Sequence, residues 1–77
     1  MLAPEVLETR LRTLLPGAEI EVRDLTGGQD HYEVEIVSPA FAGLPLLKRH
    51  RLVYDGLRDL IAGPIHALSL KTRAPGE

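Results

Sequence analysis

The chain has 77 residues, 44% of them apolar and 26% charged, with 9 Lys and Arg against 11 Asp and Glu. A chain this short buries only about 60% of its unfolded surface, so we expect one thin-cored domain over residues 1–77 with a short tail at 73–77. The absence of cysteine excludes disulfides, zinc–thiolate sites and thiol nucleophiles from this chain, and the slight acidity speaks against a surface built to wrap nucleic acid.

The N-terminus, Met1-Leu2-Ala3-Pro4-Glu5, has neither the basic nor the apolar region of a signal peptide. No apolar run approaches the roughly 18–20 residues of a membrane span; a cytoplasmic protein is expected. Pro4 suits the first turn of a helix. Leu7, Leu11, Leu14 and Leu15 follow i, i+4, i+7, i+8 spacing, which makes one apolar stripe, and Pro16-Gly17 ends the helix. Ile20 and Val22 then alternate with Glu19, Glu21 and Arg23, as in a strand with one wet face. Leu25 to Asp30 reads as a loop. In the second strand Tyr32, Val34 and Ile36 alternate with His31, Glu33 and Glu35, and the two strands form an antiparallel hairpin.

Ser38-Pro39 reads as an N-cap followed by Pro at the first helical position, opening a turn that carries Phe41 and stops at Gly43. A longer helix follows Pro45, with Leu46, Leu47, Val53, Tyr54, Leu57, Leu60 and Ile61 as its buried stripe. Gly63-Pro64 closes it, Ile65 to Thr72 is a third strand, and Arg73 to Glu77 reads as a loose tail. The order is α-β-β-α-α-β. A helical crossover joins parallel strands, so the expected architecture is an α+β two-layer domain. Its three-stranded mixed sheet has the second strand central and the helices on one face.

Little here suits catalysis. Ser38 and Ser69 lie outside any G-x-S-x-G context, and Gly27-Gly28 lacks the spacing of a phosphate loop. The histidines carry more. His66, beside the start of the third strand, is either a metal ligand through a neutral imidazole nitrogen or a half-buried side chain bonded to a carbonyl. The same two readings hold for His31, which opens the second strand. Parallel pairing of strands two and three would bring both to one end of the sheet. His50 shares the spacing of the helical stripe and reads as structural. Lys48, Arg49 and Arg51 form a basic cluster. It is either a solvated helix face or, with two short helices joined around Gly43-Leu44-Pro45, the phosphate-contacting part of a helix-turn-helix-like unit.

The segments Ile36-Val37-Ser38-Pro39-Ala40-Phe41-Ala42-Gly43, Lys48-Arg49-His50-Arg51-Leu52-Val53-Tyr54 and Ile65-His66-Ala67-Leu68-Ser69-Leu70-Lys71-Thr72 closely resemble the BolA family in order and spacing. That resemblance covers almost the whole chain. It implies a fold like a class II KH domain, although no pair of glycines here has the spacing of the nucleic-acid-clamping G-x-x-G loop. It also implies a non-enzymatic partner of a monothiol glutaredoxin, monomeric when alone. The pair would share a [2Fe-2S] cluster with glutathione, for cluster trafficking or iron and redox regulation. The family's C-terminal histidine ligand matches His66. Its second ligand is a cysteine or histidine in the loop between the first two strands. Here that loop reads Thr26-Gly27-Gly28-Gln29-Asp30-His31, Gln29 stands where a histidine directly follows the glycines in relatives, and His31 is the remaining candidate. Some members act in transcriptional control through the region matching Lys48, Arg49, His50 and Arg51, so a DNA-binding regulator is the alternative. A third reading is an interaction module that docks a partner on the open sheet face.

Overall fold

Helix α1 spans Pro4–Leu14 in the computed structural model, which describes residues 2–63, 65 and 67–77. Pro4 occupies its first turn, where a missing N–H removes no helical bond. Glu5 lies at the positive end of the helix dipole, and Arg12 reaches back one turn to Glu8 at 2.6 Å. The stripe read from the sequence is the buried one: Leu7 and Leu11 have no exposed surface and Leu15 is buried as well. Gly17, at φ +81°, turns the chain into the sheet in a conformation that glycine adopts without steric cost.

Strand β1 (Glu19–Asp24) pairs antiparallel with β2 (His31–Val37), and β3 (Ala67–Arg73) pairs parallel with β2. The order β1-β2-β3 puts the second strand in the centre, as the helical crossover predicts. Tyr32, Val34 and Ile36 point into the core with α1, Phe41, Val53, Leu57 and Leu70. On the open face Arg23 binds Glu33 at 3.3 Å and Glu35 at 3.0 Å, and Lys71 reaches Glu33 at 2.9 Å. The Glu33 carboxyl is held below its ordinary range, chiefly by the hydrogen bond from Lys71. Alternation thus divides a two-layer α+β domain into an apolar face under the helices and a face of crossed charges.

The segment after the hairpin departs from the sequence expectation in several respects. The first helical piece is a single 3₁₀ turn, Pro39–Phe41, capped by Ser38 Oγ accepting from the Ala40 N–H at 3.2 Å. One turn is too short for the first helix of a helix-turn-helix. The longer helix is divided into α2 (Leu46–Gly56) and α3 (Arg58–Ile61). Leu57, at φ −113° and ψ 11°, leaves the helical region. The break is set by α1. Arg10 donates to the Gly56 carbonyl at 3.4 Å and grips the Asp59 carboxylate at 2.8 and 3.0 Å. A Cβ on Gly56 would stand 2.4 Å from a Leu14 methyl, so the glycine lets the two helices meet.

The stripe of this segment is also shifted. Val53, Leu57 and Leu60 are buried, whereas Leu46 and Leu47 are 60% and 67% exposed and Tyr54 lies at the surface. Stepping back from Val53 by three and four residues reaches His50 and Arg49, both half-buried, so these side chains take the inward positions of the first turns. Strand β3 begins at Ala67, not Ile65. The Ile65 N–H is bonded to the Leu60 carbonyl at 2.9 Å and its side chain is buried, while Ala67 is exposed. The tail is docked: Ala74 is buried and Glu77 grips Arg49.

Candidate functional site

Three chain segments meet where β2 begins. Ala67, the first residue of β3, is the register partner of His31, and its N–H donates to the Asp30 carbonyl at 3.1 Å. The Leu2 N–H donates to the Gln29 carbonyl at 2.9 Å, and the buried Tyr32 hydroxyl donates to the Leu2 carbonyl. Burial raises the Tyr32 phenol above its ordinary pKa, with the negative charges of Asp24, Glu5 and Asp30 adding to the effect, so it stays a donor. The loop from 25 to 30 is thereby tied to the N-terminal segment on one side and to β3 on the other.

Asp24 organises the loop from within. Its Oδ1 accepts from the Thr26 N–H at 3.3 Å and the Gly27 N–H at 3.0 Å, and its Oδ2 accepts from the Gln29 N–H at 3.0 Å. An aspartate satisfying amides two and three residues on is the usual chemistry of an Asx turn. Gln29 adopts φ +60°, a left-handed conformation uncommon outside glycine and asparagine, and bonds at both its N–H and its carbonyl hold it there. Further along, the Thr26 hydroxyl accepts from the Gly28 N–H at 3.1 Å and donates to Asp30 Oδ1 at 3.3 Å.

That same Asp30 oxygen lies 2.9 Å from His31 Nδ1. With its proton on Nδ1, the ring donates to Asp30 and carries its lone pair on Nε2, the form in which an imidazole binds a metal. Ligating histidines commonly present their other nitrogen to a carboxylate in this way, so His31 fits the ligand role that the family resemblance implies. Among the described residues no group of three or more His, Asp or Glu side chains could hold a metal ion. His66 lies outside the described residues.

The basic cluster is at the other end of the sheet. Arg49 donates through Nε to the Leu44 carbonyl at 2.8 Å and meets the Glu77 carboxylate with both terminal nitrogens, at 2.5 and 2.6 Å. Lys48 and Arg51 are exposed. His50 Nε2 is buried without a hydrogen-bond partner among the described residues, as is Thr72 Oγ1. The structure therefore separates the candidates: His31 lies beside the start of β3, and Arg49 of the basic cluster lies against the tail. Asp24, Thr26 and Asp30 were not among the residues singled out in the sequence. The signal for Asp24 was its spacing to Gly27, Asp at the first and Gly at the fourth position of a turn.

The BolA-like protein family model matches residues 2–77. Mouse BolA-like protein 1 is 40% identical over 76 residues, covering 99% of this chain but 51% of that protein, so the chain spans about half the length of that relative. The structure of BolA1 from Arabidopsis thaliana superposes with a TM-score of 0.88 at 35% identity, covering 96% of this chain and 93% of the other. The BolA domain of SufE1 from the same plant gives a TM-score of 0.86 at 37% identity, with 94% and 91% covered. Among the described residues no helix is long and apolar enough to cross a membrane.

Proposed function

Since the chain belongs to the BolA family, we propose that it is a non-enzymatic iron–sulfur adaptor. It binds a monothiol glutaredoxin and shares with it a [2Fe-2S] cluster, in cluster trafficking or in iron and redox regulation. The supporting observation is the placement of His31: its Nδ1 is against Asp30 and its backbone is in register with Ala67, the residue that follows His66 in the chain. His66 is the first proposed ligand and His31 the second. A chain without cysteine can offer a cluster only non-thiolate donors, so the thiolates come from the glutaredoxin and from glutathione, and the shared site lies at the interface. When bound there, a cluster with imidazole in place of thiolate has a higher reduction potential, as in Rieske centres.

The β1–β2 loop suits an interface role. It is held in shape by its own carboxylates before any partner arrives, which lowers the ordering cost of association. The experiment is spectroscopic: the protein is mixed with a cluster-loaded monothiol glutaredoxin, and visible circular dichroism is followed. The reading expects a new spectrum with the wild type, its loss in His66→Ala and a smaller change in His31→Ala. A spectrum equal to that of the glutaredoxin alone, or one insensitive to both substitutions, overturns it.

A further inference from the structure

The geometry points to Asp30 as the positioning residue of His31, holding the imidazole in its Nδ1–H tautomer with Nε2 as the donor nitrogen; this rests on the proposed ligand role of His31. One oxygen, Asp30 Oδ1, receives both the His31 ring at 2.9 Å and the Thr26 hydroxyl at 3.3 Å. The hydroxyl is fixed in turn, since Thr26 Oγ1 accepts from the Gly28 N–H at 3.1 Å and so directs its proton to Asp30. Beneath both, the Asp24 carboxylate holds the amides of Thr26, Gly27 and Gln29. The backbone of Asp30 is anchored separately, by its carbonyl to Ala67. The carboxylate therefore has a defined place at the end of the central strand and a defined direction toward the ring.

A carboxylate can only accept, so the imidazole nitrogen facing it must carry the proton when the ring is neutral. That leaves the lone pair on Nε2. A hydrogen bond to a charged acceptor is stronger than one between neutral groups, and it biases a neutral imidazole by about tenfold toward one tautomer. The arrangement is the carboxylate–histidine pair by which proteins fix the ring orientation and tautomer of a metal ligand. Here it is assembled in the free chain, by side chains within six residues of one another.

The test begins without any cluster. At pH 8, where imidazoles are neutral, long-range ¹H–¹⁵N spectra of the ring nitrogens report the tautomer of His31. The wild type is expected in the Nδ1–H form. Asp30→Ala should lower the ratio of Nδ1–H to Nε2–H by about tenfold. Asp30→Asn, which keeps an accepting oxygen, should fall between, and Thr26→Val should shift the ratio in the same direction by less. A wild-type His31 in the Nε2–H form, or a ratio unchanged in Asp30→Ala, overturns the inference. The backbone amide spectrum establishes that each variant is folded. With cluster-loaded glutaredoxin added, Asp30→Ala should perturb the visible dichroism in the sense of His31→Ala. The tautomer is read on the apo chain and the ligand role on the mixture, so the positioning and the adaptor reading fail separately.

Discussion

The two ends of the sheet use carboxylates in opposite ways. Where β2 begins, Asp24 and Asp30 accept from backbone amides and a hydroxyl and face an imidazole. Where β2 ends, some 20 Å away at about 3.3 Å per strand residue, Glu77 closes on the guanidinium of Arg49. At the first end the carboxylates order a loop and face an imidazole. At the second, one anion removes one cation from the basic cluster. The loop end is ordered by hydrogen bonds to uncharged backbone donors, and the tail end is closed by an ion pair. A reading of function that weighs histidines and arginines by number alone misses this difference, because what each can bind depends on what already holds it.

The largest effect should come from breaking the loop end at its centre. Asp24→Ala removes the acceptor of three amides. Loss of a capping carboxylate of this kind costs about 1–2 kcal/mol, part of it softened by water reaching the exposed amides. Denaturant unfolding measures that loss. Hydrogen exchange gives it an address: the amides of Thr26, Gly27 and Gln29 should exchange faster while those of Val34 and Ile36 stay protected. If the three amides exchange at the wild-type rate, Asp24 does not organise the loop.

How far these two ends were legible beforehand follows from the range of the forces involved. The alternation from His31 to Ile36 is a period-2 signal, and a central strand buried on one face obeys it. Ser38-Pro39 carries its cap in local chemistry, and the cap is there. The break at Leu57 had only Gly56 as a local signal, since Arg10, which donates to the Gly56 carbonyl, lies 46 residues away. Leu46 and Leu47 match an apolar stripe, but the phase of the helix is set by Arg49 turning inward to a glutamate 28 residues on. At the loop, His31 was legible as a strand-opening histidine. The Asp30 carboxylate facing it, and the left-handed Gln29, depend on how six loop residues close on one another. The roles given to His66 and to the glutaredoxin rest on family resemblance.

A second, smaller effect separates the cations of the tail end. If Lys48 and Arg51 contact phosphates of duplex DNA, as the alternative reading has it, the salt dependence of binding counts them, with a slope of about one per contact. Arg51→Ala should then lower the slope by about one. Arg49→Ala should leave it nearly unchanged, because its guanidinium already faces Glu77 and the Leu44 carbonyl. Equal losses in the two variants would mean that the Arg49–Glu77 pair opens on binding. Absence of any salt-dependent binding by the wild type would remove the DNA reading.

The smallest effect is the pH dependence of the tail. The hydrogen bonds from Arg49, followed by the one from the Ala74 N–H, hold the Glu77 carboxyl at about 2, below its ordinary value of 4.5. A carboxyl whose pKa is lower folded than unfolded stabilises the fold when it is ionised in both states. That contribution is complete above the unfolded value near 4.5 and is lost as pH falls toward 2. Glu77→Gln removes the charge and so the dependence. Thermal unfolding of the two proteins from pH 7 down to pH 2 should therefore show the wild type ahead at neutral pH, the gap narrowing below about 4.5 and closing near 2. Because the Glu77 carboxylate is solvent-exposed, added salt should narrow the gap at neutral pH as well. The same comparison made with Asp24→Ala should retain a gap at high salt, since the amides it leaves without their acceptor carry no net charge to be screened. Salt thus distinguishes the end closed by an ion pair from the end ordered by hydrogen bonds to backbone. Parallel salt responses of the two variants would show that the ends are held by the same force.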